Sequence, residues 1–165
     1  LLVCIHEMYK LRKGKTKALA FLYVLSPLLL IHLIPTNLVL LMFILSWTFD
    51  TFAYIVGVRF GKHKIMPTIS PNKSWEGFSG GLIFTVIAAY LTVNYFSEIE
   101  LNHIIAISLL TPFTATIGDF IESYYKRKAE VKDSGNLIPG HGGILDRMDA
   151  FMITIPAIYL VINLI

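Results

Sequence analysis

Charge is scarce in this 165-residue chain: Asp, Glu, Lys and Arg make up 15% of it, beside 55% hydrophobic residues. A soluble globular domain carries about 25% charged residues, so an ordinary soluble fold is excluded. Disorder is excluded too, because it needs low hydrophobicity and high net charge, and the formal charge here is only +3. Cysteine is almost missing. The single Cys4 rules out an intrachain disulfide and any Cys-based metal spacing. Repeats and low-complexity tracts are absent as well. What the chain does have is long apolar sequence, with a mean hydropathy of +0.67. The class that fits is an all-α polytopic membrane protein. The first residue is Leu1 rather than Met, so the expectation is a fragment or truncated product, with any targeting segment absent or unseen.

A spanning helix needs roughly 20 mostly apolar residues. Ala18 to Val58 holds one formal charge, Asp50, in 41 residues, too long for one helix and right for two broken at Ile34-Pro35-Thr36-Asn37. Gly77–Ser97, Leu101–Gly118 and Ala150–Ile165 carry no charge over 21, 18 and 16 residues. Five spans are therefore expected, near 18–34, 38–58, 79–96, 103–125 and 149–165. Pro27, Pro112 and Pro156 fall inside them, which lipid-embedded helices tolerate.

The 14 Lys and Arg residues cluster before span one (Lys10 to Lys17), between spans two and three (Arg59 to Lys73), and between spans four and five (Lys126 to Arg147). The alternate connections, 35–37 and 97–102, carry none. Five spans put all the cations on one side, as the positive-inside rule requires. That places the amino end and both long polar loops in the cytoplasm, and the carboxyl end outside. The run Met8–Lys17 reads as a juxtamembrane flank. A nucleic-acid partner is not expected, since basic residues are not interleaved with aromatics in a soluble domain.

Ionisable residues inside spans are costly and mark function by default. Asp50 lies in span two, and Asp119 lies late in span four with Glu122 and Ser123 on its helical face at i+3 and i+4. Interhelical pairing with a nearby cation is the competing explanation for each. The loop 123–149 is the richest stretch, with Lys126-Arg127, Lys132-Asp133-Ser134-Gly135, Pro139-Gly140-His141-Gly142-Gly143 and Asp146-Arg147-Met148-Asp149. Arginine suits bidentate phosphate capture. Glycines around His141 allow close backbone approach, or an anion nest of N–H groups. Asp146 and Asp149 share one helical face, and carboxylates beside phosphate are how Mg2+ is usually held. Together these are the parts needed for phosphoryl or nucleotidyl transfer at a membrane surface. In the other loop, Ser70-Pro71 reads as a turn, Ser74 as a helix cap and Trp75 as an interfacial anchor, with Lys73 among the cations.

These residues resemble the phosphatidate cytidylyltransferase (CDP-diacylglycerol synthase) family, whose signature is Ser, two residues, Lys-Arg, four residues, Lys-Asp, then a small residue, followed by Pro-x-His-Gly-Gly and Asp-Arg-x-Asp. Ser123, Lys126, Arg127, Lys132, Asp133, Gly135, Pro139, His141, Gly142, Gly143, Asp146, Arg147 and Asp149 match it in order and spacing. The block 70–77 and the Asp-Thr-x-Ala-Tyr around Asp50 agree with it. The resemblance implies one transmembrane catalytic domain over 1–165 with the family's amino-terminal helices missing. Its reaction would be attack by a phosphatidic acid phosphate oxygen on the α-phosphorus of CTP, with Mg2+ required, giving CDP-diacylglycerol and pyrophosphate.

The resemblance further implies Asp119 and Asp146 as metal ligands, and Lys73, Arg127, Lys132 and Arg147 as phosphate holders, with Lys132 and Arg147 close to the reaction. His141, Gly142 and Gly143 would shape the loop around the triphosphate; Asp133, Asp149 and Ser123 would orient ligands. Ser70, Lys126 and Asp50 would also line the substrate site. The implied partners are CTP, phosphatidic acid and the bilayer, and a homodimer is compatible with them. The implied location is a bacterial inner membrane with the site facing the cytoplasm. The alternatives are a CTP-dependent polyprenol or phytol kinase or related CDP-lipid synthase, an ion-coupled transporter with Asp50 and Asp119 at the midplane, and an inactive assembly partner.

Overall fold

A computed structural model describes residues 2–11, 17–137 and 142–164. The chain runs α1 (Leu2–Leu11), α2 (Lys17–Leu30), α3 (Thr36–Phe60), a hairpin of β1 (Lys64–Met66) and β2 (Ser70–Ser74), α4 (Trp75–Thr92), α5 (Leu101–Lys128) and α6 (Leu145–Leu164). Short 3-10 turns, Ile31–Leu33 and Val93–Phe96, follow α2 and α4. Among the described residues, three helices are long and apolar enough to cross a membrane: α3, α4 with its 3-10 extension to Phe96, and α5. Many exposed side chains on these helices are apolar, including Trp47, Ile83, Leu91 and Leu109.

The expected break between the first two apolar segments falls at Pro35, which lacks an N–H and precedes α3 at Thr36. Ser74 caps α4 as expected, its hydroxyl accepting from the Gly77 N–H at 3.2 Å. Two expectations are corrected. Ser70-Pro71 is not a turn but the start of β2; the turn is 67–69, closed by the Ile69 N–H on the Met66 carbonyl at 3.2 Å. The strand pair itself was not foreseen, being too short to show a period-two pattern. Pro71 is tolerated because a two-stranded ribbon has only edge strands.

The run expected to be a juxtamembrane flank, from Met8 onward, begins inside α1, where Met8 and Leu11 are buried. They join Cys4, Val24, Leu145 and Met152 in a cluster that seats α1 against α2 and α6. The spacing Cys4, Glu7, Met8, Leu11 is one helical face, and that face is the buried one.

Helices α3 and α4 pack antiparallel across a glycine seam. A Cβ on Gly77 would stand 2.6 Å from the Ala53 carbonyl, and one on Gly81 2.7 Å from the Phe49 ring. Phe49 is buried by that missing side chain, and Phe52 stacks on Phe84 with ring centroids 3.8 Å apart. Helices α5 and α6 also run antiparallel, with Thr114 and Thr154 hydroxyls 2.9 Å apart. A Cβ on Gly118 would stand 3.0 Å from the Ala150 Cα, so the residue before Asp119 is level with the Asp149–Ala150 step. The apolar core lies beyond this point, where Leu41, Leu45, Ile104, Ile107, Ile155 and Ile158 meet. At that end Asn37 donates to Glu98 at 2.8 Å, tying the two cation-free connections together.

Candidate active site

At the opposite end, the cation-rich one, the strand hairpin lies over the ends of α3, α4 and α5 and encloses a cavity of about 540 Å3. Its polar wall includes Asp50, Lys64, Ser70, Asn72, Lys73 and Asp119, and its apolar wall includes Phe49, Tyr54, Val58 and Phe78. Lys73 reaches from β2 to Asp119 on α5 and forms an ion pair with it. The Lys73 ammonium also lies 5.3 Å from the centre of the Phe120 ring. Asp50 has both members of this pair within electrostatic reach. Three residues singled out in the sequence, from three separate segments, thus meet at one cavity.

A second polar group continues from Asp119 along the α5–α6 contact. Asp149 lies near Asp119 and Glu122. Glu122 is fully buried and accepts from Lys126 at 2.6 Å; Lys126 also donates to Asp146 at 2.8 Å. Asp146 Oδ2 accepts from the Ser134 N–H (2.9 Å), the Ser134 hydroxyl (3.0 Å) and the Gly143 N–H (2.7 Å). Burial opposes the charged form of Asp146, but the Lys126 ammonium and the two N–H groups outweigh it and hold the carboxyl at about 2. Asp146 thus fastens the signature loop to the first turn of α6.

The loop needs its glycines. Gly142 has φ +82°, where an L side chain is strained, and a Cβ there would stand 2.6 Å from Asp146 Oδ2. Ser123 and Asp149 are half-buried, whereas Arg127 in the last turn of α5, Lys132 and Asp133 in the loop, and Arg147 in the first turn of α6 are exposed. The Arg127 Nε–H donates to the Ile69 carbonyl at 3.3 Å, joining α5 to the strand hairpin. Lys132 and Asp133 line a second cavity of about 400 Å3 together with Lys10 of α1. His141, with Pro139 and Gly140, lies outside the described residues.

Sequence reasoning missed Glu7. This α1 carboxylate is buried and accepts from the Ser134 hydroxyl (3.1 Å), the Ile144 N–H (3.3 Å) and the Leu145 N–H (2.8 Å). The available signal was a lone carboxylate on the apolar face of a short helix.

Among the described residues, no group of three or more His, Cys, Asp or Glu is placed to hold a metal ion. Mg2+ ordinarily needs only one or two carboxylates, with water and substrate phosphates filling the rest. Hard carboxylate oxygens of that kind stand along this row on Asp119, Asp149, Glu122 and Asp146, with Asp149 in hydrogen-bond contact with Glu122. Carboxylate oxygens are the donor type such an ion takes, one or two at a time.

A sequence profile described as the cytidylyltransferase family matches residues 1–165. The chain belongs to the cytidylyltransferase family. Among its relatives is the phosphatidate cytidylyltransferase of Staphylococcus aureus (strain COL), 45% identical over 120 residues, or 72% of this chain and 46% of that protein. The protein of the same name from Staphylococcus haemolyticus (strain JCSC1435) is also 45% identical over 120 residues, with the same coverage. That from Staphylococcus epidermidis (strain ATCC 35984) is 42% identical over 120 residues. The chain spans about half the length of the curated relatives it matches.

Proposed function

We propose that this chain carries the site of a phosphatidate cytidylyltransferase, joining the cytidylyl group of CTP to phosphatidic acid and releasing pyrophosphate. The observation that carries the reading is the row of charged side chains from Lys73–Asp119 through Asp149, Glu122 and Lys126 to Asp146, set at one end of otherwise apolar helices. The five-span topology goes with it: α2 and α6 join the three longer helices in a bacterial inner membrane, and the charged row faces the cytoplasm, where CTP is available.

The nucleophile, a lipid phosphate oxygen, is already anionic, so the protein has no proton to remove. Its task is to bring two anions together in line. The ion pairs of the resting site fit that task. Lys73 trades Asp119 for the lipid phosphate, whose acyl chains lie along the apolar wall formed by Phe49, Tyr54, Val58 and Phe78. Asp119 and Asp146 would hold Mg2+, which when bound neutralises charge on the triphosphate. Lys132, Arg127 and Arg147, exposed on the loop side, bind the phosphates of CTP. Lys126 keeps Asp146 charged and oriented until ligands arrive.

The test supplies purified protein in detergent with phosphatidic acid, Mg2+ and CTP labelled at the α-phosphate. Labelled CDP-diacylglycerol is expected, with none after EDTA treatment and restoration on adding Mg2+. Asp119→Asn and Asp146→Asn should each lower turnover by about 100-fold or more, in the range of losing a group that stabilises transition-state charge. Transfer of label from γ-labelled CTP to lipid would instead identify a kinase, and normal turnover in both variants would refute the ligand assignment.

A further inference from the structure

Glu7 is a carboxylate buried to 5% exposure on a helix that precedes every long apolar segment. Its partners include three neutral donors: the Ser134 hydroxyl and the Ile144 and Leu145 N–H groups. The two N–H groups lie at the start of α6, whose first-turn donors have no partners within the helix and whose dipole favours a negative charge there. Both neighbouring glycines are shaped around this carboxylate. A Cβ on Gly143 would stand 2.7 Å from each Glu7 oxygen, and one on Gly135 would stand 3.0 Å from its carboxyl carbon.

The Ser134 hydroxyl is offered to two carboxylates at once, Glu7 Oε2 at 3.1 Å and Asp146 Oδ2 at 3.0 Å. A hydroxyl has one proton and satisfies one of them at a time. Were Asp146 the loop's sole anchor, the loop would come loose whenever Asp146 turned to a ligand. Glu7 provides a second acceptor that does not leave. We infer that Glu7 is a positioning residue: it holds the Lys132–Gly135 segment and the start of α6 in place, so that Asp146 can exchange its loop contacts for substrate. This rests on the cytidylyltransferase reading for its catalytic consequence, but not for its structural content.

The experiment is amide hydrogen exchange on the detergent-purified chain, paired with kinetics. In Glu7→Ala, exchange across 132–135 and 143–146 should rise by about tenfold or more, while α3 and α4 keep wild-type protection. Gly143→Ala should reproduce this pattern, since its side chain would displace both the Ser134 hydroxyl and the Glu7 carboxylate that meet there. Glu7→Gln keeps the shape and one acceptor oxygen and should lie between wild type and Glu7→Ala. With CTP and phosphatidic acid, kcat should fall about tenfold in Glu7→Ala with the KM for phosphatidic acid unchanged, and Glu7→Gln should recover part of the loss. Unchanged exchange in 132–135 and 143–146, or exchange raised equally in α3 and α4, would overturn the inference. A wild-type chain that makes no CDP-lipid while Glu7→Ala loosens only the loop would refute the enzymatic reading and leave the clamp standing.

Discussion

Lys126 is the residue on which most charge depends. Its side chain is 14% exposed and it neutralises two carboxylates, Glu122 at 0% and Asp146 at 8%. Removing one member of a buried ion network strands the rest, at a cost of about 3–5 kcal/mol. Lys126→Met should therefore lower the thermal midpoint in detergent well beyond what Lys128→Met does on the exposed side of the same helix. The Lys73–Asp119 pair is different, being partly open to the cavity. Lys73→Met should cost little stability yet reduce cytidylyl transfer about tenfold or more, with the KM for phosphatidic acid raised, because lipid phosphate loses its cation. Unchanged lipid KM would place the headgroup elsewhere. Asp50 and Asp119 were legible in the sequence because a charge in an apolar run stands out. Glu7 was not, because its meaning depends on a loop more than 120 positions later.

At the scale of elements, two antiparallel helix pairs are set by glycine. The α5–α6 contact at Gly118 fixes the height of Asp119 relative to Asp149, and a methyl group there meets backbone that has no flexible end to move. Gly118→Ala should cost about 1–3 kcal/mol by overpacking. It should also depress turnover further than this stability loss explains, since α5 would shift against α6 at the charged row. Equal loss of stability with full activity would show that the register is not critical. Why Phe49 and Phe52 flank Asp50 became clear only from packing: one fills the space left by Gly81, the other stacks on Phe84. The strand hairpin was invisible because three and five residues are too few to display a period.

For the whole molecule, the number of crossings sets which surfaces face which side of the bilayer. Cys4 is buried, and burial pushes its thiol pKa up, so it reacts slowly and leaves a quiet background for introduced cysteines. In the five-span topology, Thr68→Cys at the strand turn and Asn136→Cys in the signature loop should be labelled by an impermeant maleimide from one side of sealed vesicles. Ser97→Cys should be labelled from the other. All three positions are exposed on the protein surface. Labelling of Ser97→Cys from the same side as Thr68→Cys would remove one crossing and with it the placement of both polar loops.

The linear chain already contains the apolar runs, the proline that parts two of them, the serine that caps α4 and the charges that have no place in lipid. Each of these acts through neighbours in sequence or through the solvent around it, so no knowledge of distant residues is needed to read it. Pairings are another matter. That Lys73 meets Asp119, that Lys126 stands between Glu122 and Asp146, and that Glu7 secures Ser134 and the start of α6 follow from how helices pack across glycine seams and bring remote segments within hydrogen-bond reach. Electrostatic and hydrogen-bond energies fall away over a few ångströms, and sequence spacing does not encode those distances.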